Sequence, residues 1–149
     1  MVLNFVRDLA DGHGFEDEIL AFIHLKHPSA TRVLGNFKGY DIEVPSLKHR
    51  IECKFDRMSE RTGNIAVEFE CSGKPSGINN TKATHWIHKY HHDGKWLLAI
   101  ARVSVFKQLC EGQRVVKGGD NYSAKMYLVP KELLKKTKGI KIKLPVDKN

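Results

Sequence analysis

Gly39-Tyr40-Asp41-Ile42-Glu43-Val44 and Arg50-Ile51-Glu52-Cys53-Lys54-Phe55, joined through Pro45-Ser46, are the two segments on which the reading of this chain turns. In both, apolar and charged residues alternate, the period of a strand whose successive side chains point to opposite faces. The second segment therefore sends Ile51, Cys53 and Phe55 toward a core and sets Glu52 and Lys54 together on the other face. In the first, Asp41 points away from Tyr40 and Ile42. Folded as a hairpin, the two segments bring two carboxylates within reach across the ladder, with a lysine beside them.

Upstream, a helix is predicted over about Gly14 to Lys26, with Phe15, Ile19, Phe22 and Ile23 as its apolar stripe and Pro28 as its stop. Downstream, Asn64 to Glu70 alternates as a third strand. Ser72-Gly73-Lys74-Pro75-Ser76-Gly77 reads as a loop leading to a second helix, about Asn79 to Tyr90, striped by Ala83, Trp86, Ile87 and Tyr90. Trp96 to Ala101 is a continuous apolar run, the pattern of a buried central strand. Ser104 is placed to cap a short helix ending near Glu111. Lys117 to Asn121 reads as a turn, Lys125 to Val129 as a strand, and Pro130 opens a last short helix. The order α-β-β-β-α-β-α-β-α predicts an α/β fold, a mixed central sheet flanked by helices, with its first three strands in a meander.

The 149 residues suit one domain, and nothing resembling a repeat or linker divides them. A hydrophobic fraction of 41% and a charged fraction of 28% are those of a globular protein. No apolar run approaches a membrane span, and the first ten residues lack the features of a signal peptide. Cys53, Cys71 and Cys110 are odd in number and scattered, so free thiols in a reducing, cytoplasmic setting are expected. A net charge of +8 and a pI near 9.4 favour a polyanionic partner. The excess gathers at Lys135, Lys136, Lys138, Lys141, Lys143 and Lys148, a basic tail that is either solvated or tracks phosphates.

Phosphodiester hydrolysis asks for the set on the two strands. Carboxylates hold Mg²⁺, which polarises the phosphate and acidifies an attacking water. A neighbouring ammonium offsets the charge that develops on the phosphorane. Glu16 lies on the row Glu16, Ile19, Leu20, Ile23 that should turn inward; it either caps the helix start or reaches into the site. Glu68 and Glu70 share a face of the third strand, and Glu68 is kept in reserve as a further acid.

Gly39-Tyr40-Asp41, ten residues, then Glu52-Cys53-Lys54 resembles the PD-(D/E)xK motif of restriction-endonuclease-like nucleases, with Tyr40 where the motif's proline stands. Gly14-Phe15-Glu16-Asp17-Glu18-Ile19 looks like the first-helix motif of that superfamily's small phage junction-resolving enzymes, and the α-β-β-β-α-β order looks like its common core. The resemblance covers residues 14–101, leaving 103–149 as a C-terminal extension with the basic tail. It implies a metal-dependent DNA endonuclease, either a Holliday-junction resolvase or a site-specific restriction or homing enzyme. It also implies that Asp41, Glu52 and the carbonyl of Cys53 bind Mg²⁺ (Mn²⁺ as substitute), that Lys54 is catalytic, and that Glu16 assists at the metal. A homodimer or larger symmetric oligomer, encoded by a phage and working inside a host cell, is the expected setting.

For DNA contact, the stretch Lys74 to Lys82, including Ser76, is rich in donors and should open a helix N-terminus suited to phosphate. In related nucleases the helix after the third strand lends a basic residue, here Lys82; a solvated helix face is the competing reading. Arg50, Arg57 and Lys48 flank the hairpin, either as further backbone contacts or as ordinary surface charges. Among rivals, His85, His88 and His92 would share a helical face, but no zinc-finger spacing or H-E-x-x-H accompanies them. Cys53 points to the core and is a poor nucleophile. A catalytically silent DNA-binding protein with the same fold is the alternative, and the cluster of acids argues against it, because such a cluster destabilises a fold that has no metal to hold.

Overall fold

The computed structural model describes residues 14–34 and 39–145. Helix α1, residues 14–24, buries Phe15, Glu16 and Ile19 and leaves Phe22 40% exposed. The inward face is thus centred on the row through Glu16, Ile19 and Ile23, and Phe22 falls at its margin rather than within the stripe.

Strands β1 (Thr31–Arg32), β2 (Ile42–Val44) and β3 (His49–Phe55) form an antiparallel series, with Ile42 opposite Ile51 and Val44 opposite His49. The hairpin expected from the alternation is present. The meander is not. Strand β4 (Asn64–Cys71) leaves β3 and joins a second sheet with β5 (Lys74–Pro75), β8 (Arg114–Gly118) and β9 (Ala124–Pro130), in the order β5-β4-β9-β8. The first sheet continues instead through β6 (His85–His92), β7 (Lys95–Arg102) and β10 (Lys141–Lys143), in the order β1-β2-β3-β6-β7-β10. It is mixed, because β3 and β6 run parallel while its other pairs are antiparallel. Parallel neighbours need a long crossover. Here β4 and β5 lie within that crossover.

The helix predicted over Asn79 to Tyr90 is therefore a correction. Gly77–Asn79 makes a single 3₁₀ turn and residues 85–92 are a strand, so the α-β-β-β-α-β order is not observed. Period two was hidden because both faces of β6 are buried: Trp86, His88 and Tyr90 on one side and Ile87 on the other. The hairpin signal was Asp93-Gly94, whose φ values of 52° and 75° make the two-residue turn that joins β6 to β7. The histidine face dissolves with the helix, since His85 and His88 point to opposite sides of a strand.

Helices α2 (Val103–Cys110) and α3 (Lys131–Lys136) complete the fold. Ser104 does not cap α2; the N-cap is Arg102, with no side-chain bond. Two cores cover the first sheet. One packs Phe15 and Ile19 of α1 onto Ile42, Ile51, Cys53 and Ile87; the other joins Trp86, Tyr90 and Ala99 to Ile65, Val67, Phe106, Val129 and Leu134. The trailing third thus supplies strands and core residues. Lys148 of the basic tail lies outside the described residues. Among the described residues no helix is long and apolar enough to cross a membrane.

The sheets are joined at Asp56. Its Oδ2 accepts from the Ala66 amide (2.8 Å) and His88 Nε2 (2.9 Å), its Oδ1 from the Ser59 amide (3.1 Å), and its own amide donates to the Lys89 carbonyl. Trp86 Nε1 can only donate, and it reaches His88 Nδ1 at 3.1 Å, so the ring proton of His88 sits on Nε2, facing Asp56. Burial alone would push the Asp56 carboxyl up; the hydrogen bond from His88, with those from the Ala66 and Ser59 amides, outweighs it and holds it below the ordinary value. A depressed carboxylate stabilises the fold above its unfolded pKa, and that contribution is lost as pH falls through the folded value. Asp56→Asn is expected to cost about 1–3 kcal/mol in urea denaturation at pH 7 and to flatten the loss of stability below about pH 4. An acid limb as steep as that of the parent chain would assign that limb to other carboxylates.

Candidate active site

Strand β3 positions the site. Its odd residues Ile51 and Cys53 are buried, and Glu52 and Lys54 emerge on the other face, where Lys54 Nζ lies 3.1 Å from Glu52 Oε1. Continuing the β2–β3 register by one step places Asp41 opposite Glu52. Asp41 is buried, and its Oδ2 accepts the Cys53 amide at 2.8 Å, so the carboxylate is fixed to the peptide link between Glu52 and Cys53. Asp41, Glu52 and Lys54 thus lie on one hairpin, with Asp41 and Glu52 opposite each other when the register is extended.

The electrostatics are those of a compact charged cluster. Burial pushes the Cys53 thiol up, and the charges of Asp41, Glu16 and Glu52 push it further, with Lys54 opposing. A thiol so buried and held protonated is a poor nucleophile. Desolvation pulls the Lys54 ammonium down, but the charge and hydrogen bond of Glu52, then Asp41 and Glu68, reverse it and leave Lys54 above its ordinary value. Its ammonium also lies 5.8 Å from the centre of the Trp86 ring.

Glu16 is brought to the same neighbourhood. Its Oε2 is 2.6 Å from Arg32 Nη2, and Arg32 Nη1 reaches Asp17, so the carboxylate is steered by β1 as well as by its helix. Among the described residues no three His, Cys, Asp or Glu side chains converge as a metal-binding group. The expected set has Asp41, Glu52 and the main-chain carbonyl of Cys53 as ligands with Glu16 assisting, and those three carboxylates do not converge as one metal-binding group. Those donors are hard oxygens, which is the chemistry Mg²⁺ selects.

Glu68 and Glu70, which the alternation puts on one face, are separated in the structure. A bulge between Glu68 and Glu70 breaks their shared face. Glu68 lines a cleft together with Lys54, while Glu70 Oε2 lies 3.1 Å from Lys125 Nζ. The cleft, about 630 Å³, is lined by residues of both sheets and also involves Asp56, Trp86 and His88. Neither Asp56 nor His88 was singled out from sequence as part of this region. The available signal was Trp86 and His88 sharing one strand face, and it was masked by the helical reading.

The expected DNA-contact residues are spread more widely. Arg57 lines the cleft; Arg50 is exposed, its guanidinium 5.2 Å from the Tyr40 ring centre; Lys48 is exposed on the hairpin. Lys74 is exposed on β5, and Ser76 Oγ is buried without a hydrogen-bond partner among the described residues. Lys82 is exposed, its amide bonded to the Gly39 carbonyl two residues before Asp41. The helix N-terminus expected to gather these donors is absent. What the loop does is clamp Glu68. A Cβ on Gly77 would stand 2.1 Å from the Glu68 carbonyl oxygen, and Gly77 has φ +51°, so only glycine fits there.

No protein-family model, curated protein or solved structure matches the chain. Gly77→Ala is expected to lower stability by more than about 1 kcal/mol, read by urea denaturation, because the loop must retreat from Glu68. Unchanged stability would mean that the clamp yields freely.

Proposed function

We propose that the chain is a metal-dependent DNA endonuclease of the PD-(D/E)xK type. The observation that carries this reading is the hairpin that fixes the Asp41 carboxylate on the Cys53 peptide, with Glu52 and Lys54 paired at 3.1 Å on the adjoining open face. An α-helix with an inward carboxylate, an acid-bearing hairpin and an E-x-K strand are the beginning of the restriction-endonuclease-like pattern. The departure comes afterwards, where β4 enters the second sheet and residues 85–92 are a strand.

Asp41, Glu52 and the Cys53 carbonyl would hold Mg²⁺. When bound, the ion polarises the phosphate and acidifies the attacking water. The chain's own contribution is placement and charge. Glu52 keeps the Lys54 ammonium protonated and directed, so that it can bind a phosphate oxygen or the water and offset charge as the phosphorane forms. Clustered carboxylates repel one another until a cation joins them, which favours metal uptake over a silent fold. The net charge of +8 supplies attraction for DNA, with Arg50, Arg57, Lys74 and Lys82 as backbone contacts. Cutting both strands of a symmetric or branched substrate would use two copies of the chain.

Supercoiled plasmid and a four-way junction, each with Mg²⁺ or EDTA, test the reading. Glu52→Ala and Lys54→Ala are each expected to lower the cutting rate by about 10²-fold or more while DNA binding in EDTA persists. Preferential cutting of the junction would select the resolvase form. Metal-dependent cutting that survives Glu52→Ala would remove this site from consideration.

A further inference from the structure

We infer that the cleft between the two sheets receives one unpaired nucleotide of the DNA, beside the phosphate faced by Lys54. This deepens the nuclease reading and rests on it. The cleft is continuous with the site, since Lys54 and Glu68 belong to its wall. A phosphate engaged by Lys54 therefore delivers its adjoining nucleoside to this opening.

Size and lining point to a base. About 630 Å³ far exceeds the roughly 30 Å³ of a water and lies within the range of about 300–1,000 Å³ usual for small organic ligands. On the second sheet, Ile65, Val67 and Val129 turn to the core, and the alternate residues Asn64, Ala66, Met126 and Leu128 face the cleft. Ala66 stands opposite Leu128 and Glu68 opposite Met126 in the ladder, so a methyl, an isobutyl and a thioether form one continuous wall. Met58, 62% exposed, adds a second thioether at the mouth, and Thr62 and Asn64 add a hydroxyl and an amide. Thioethers make favourable contacts with aromatic rings, and a few polar groups among apolar ones are what reads a base edge.

The opposite wall is rigid. Trp86 is 1% exposed, covered by Lys54 and bonded to His88, which is anchored in turn by Asp56. A base stacked within a duplex and paired to its partner cannot enter such a slot; only a displaced or unpaired one can. The substrate class is thus DNA carrying an unpaired nucleotide next to the cut, as at a bulge, flap, mismatch or open junction.

The chain's three methionines make the test direct. Protein labelled with ¹³C in the methionine methyl groups is titrated in EDTA with a hairpin duplex carrying one unpaired adenine, and with its fully paired counterpart. The signals of Met58 and Met126 are expected to move with the bulged DNA and not with the paired one. Fluorescence anisotropy is expected to give at least about fivefold tighter binding of the bulged DNA. Ala66→Phe, which fills the slot, should abolish that preference and leave paired binding unchanged. Met58→Asp, an exposed change that decides the matter if the first variant fails to fold, should weaken it. Equal affinity for the two DNAs, or methyl signals that stay still on binding, would overturn the role of the cleft. Metal-dependent cutting dependent on Glu52 would survive that result, so failure here is distinct from failure of the nuclease reading. Tighter binding of the same bulge in RNA would overturn the assignment to DNA.

Discussion

One carboxylate holds the two sheets in register. Asp56 leaves the end of β3 and accepts hydrogen bonds from the 3₁₀ turn after it, from the β4 amide of Ala66 and from the β6 ring of His88. Ser59, fixed by the same residue, accepts the His91 amide. A buried charge with fewer partners would be a liability of several kcal/mol; with these it becomes a joint whose geometry allows little variation. It sits at the end of the parallel β3–β6 pairing, where the Asp56 amide donates to the Lys89 carbonyl and the chain departs for the second sheet.

From that joint the placement of the site follows. Strand β3 carries core residues on one face and Glu52 and Lys54 on the other, and the cleft that Lys54 lines draws its walls from both sheets. The cleft therefore has the Asp56–His88–Trp86 chain as one wall and the lysine at its edge. Glu68 enters from the second sheet, held by a bulge on one side and by the close approach of Gly77 on the other. A group on one sheet and a group on the other thus act on a common space, which a single meander would not provide.

The proposed chemistry asks little motion of these residues. Asp41 is tied to a peptide amide and Lys54 to Glu52, so the acids and the ammonium are oriented before substrate arrives, the condition under which fixed charges lower a barrier most. Glu16 is held by Arg32 from a different strand, which makes α1 part of the arrangement and not only a cover for the core.

Strict alternation was enough to identify the β2–β3 hairpin, the inward turn of Cys53 and the outward turn of Glu52 and Lys54, because period two leaves a half-buried strand no other way to sort its side chains. Helical spacing likewise placed Glu16 on the inward row. Three things were settled only in the tertiary structure. Residues 85–92 are buried on both faces, so their sequence carries no clean period, and pairing with β3 and β7 made them a strand. The separation of Glu68 from Glu70 lay in a bulge, a local slip that composition does not encode. The membership of Arg114–Gly118 and Ala124–Pro130 in a second sheet depended on β4 leaving the first to pair with β9, a long-range pairing that no local residue pattern records.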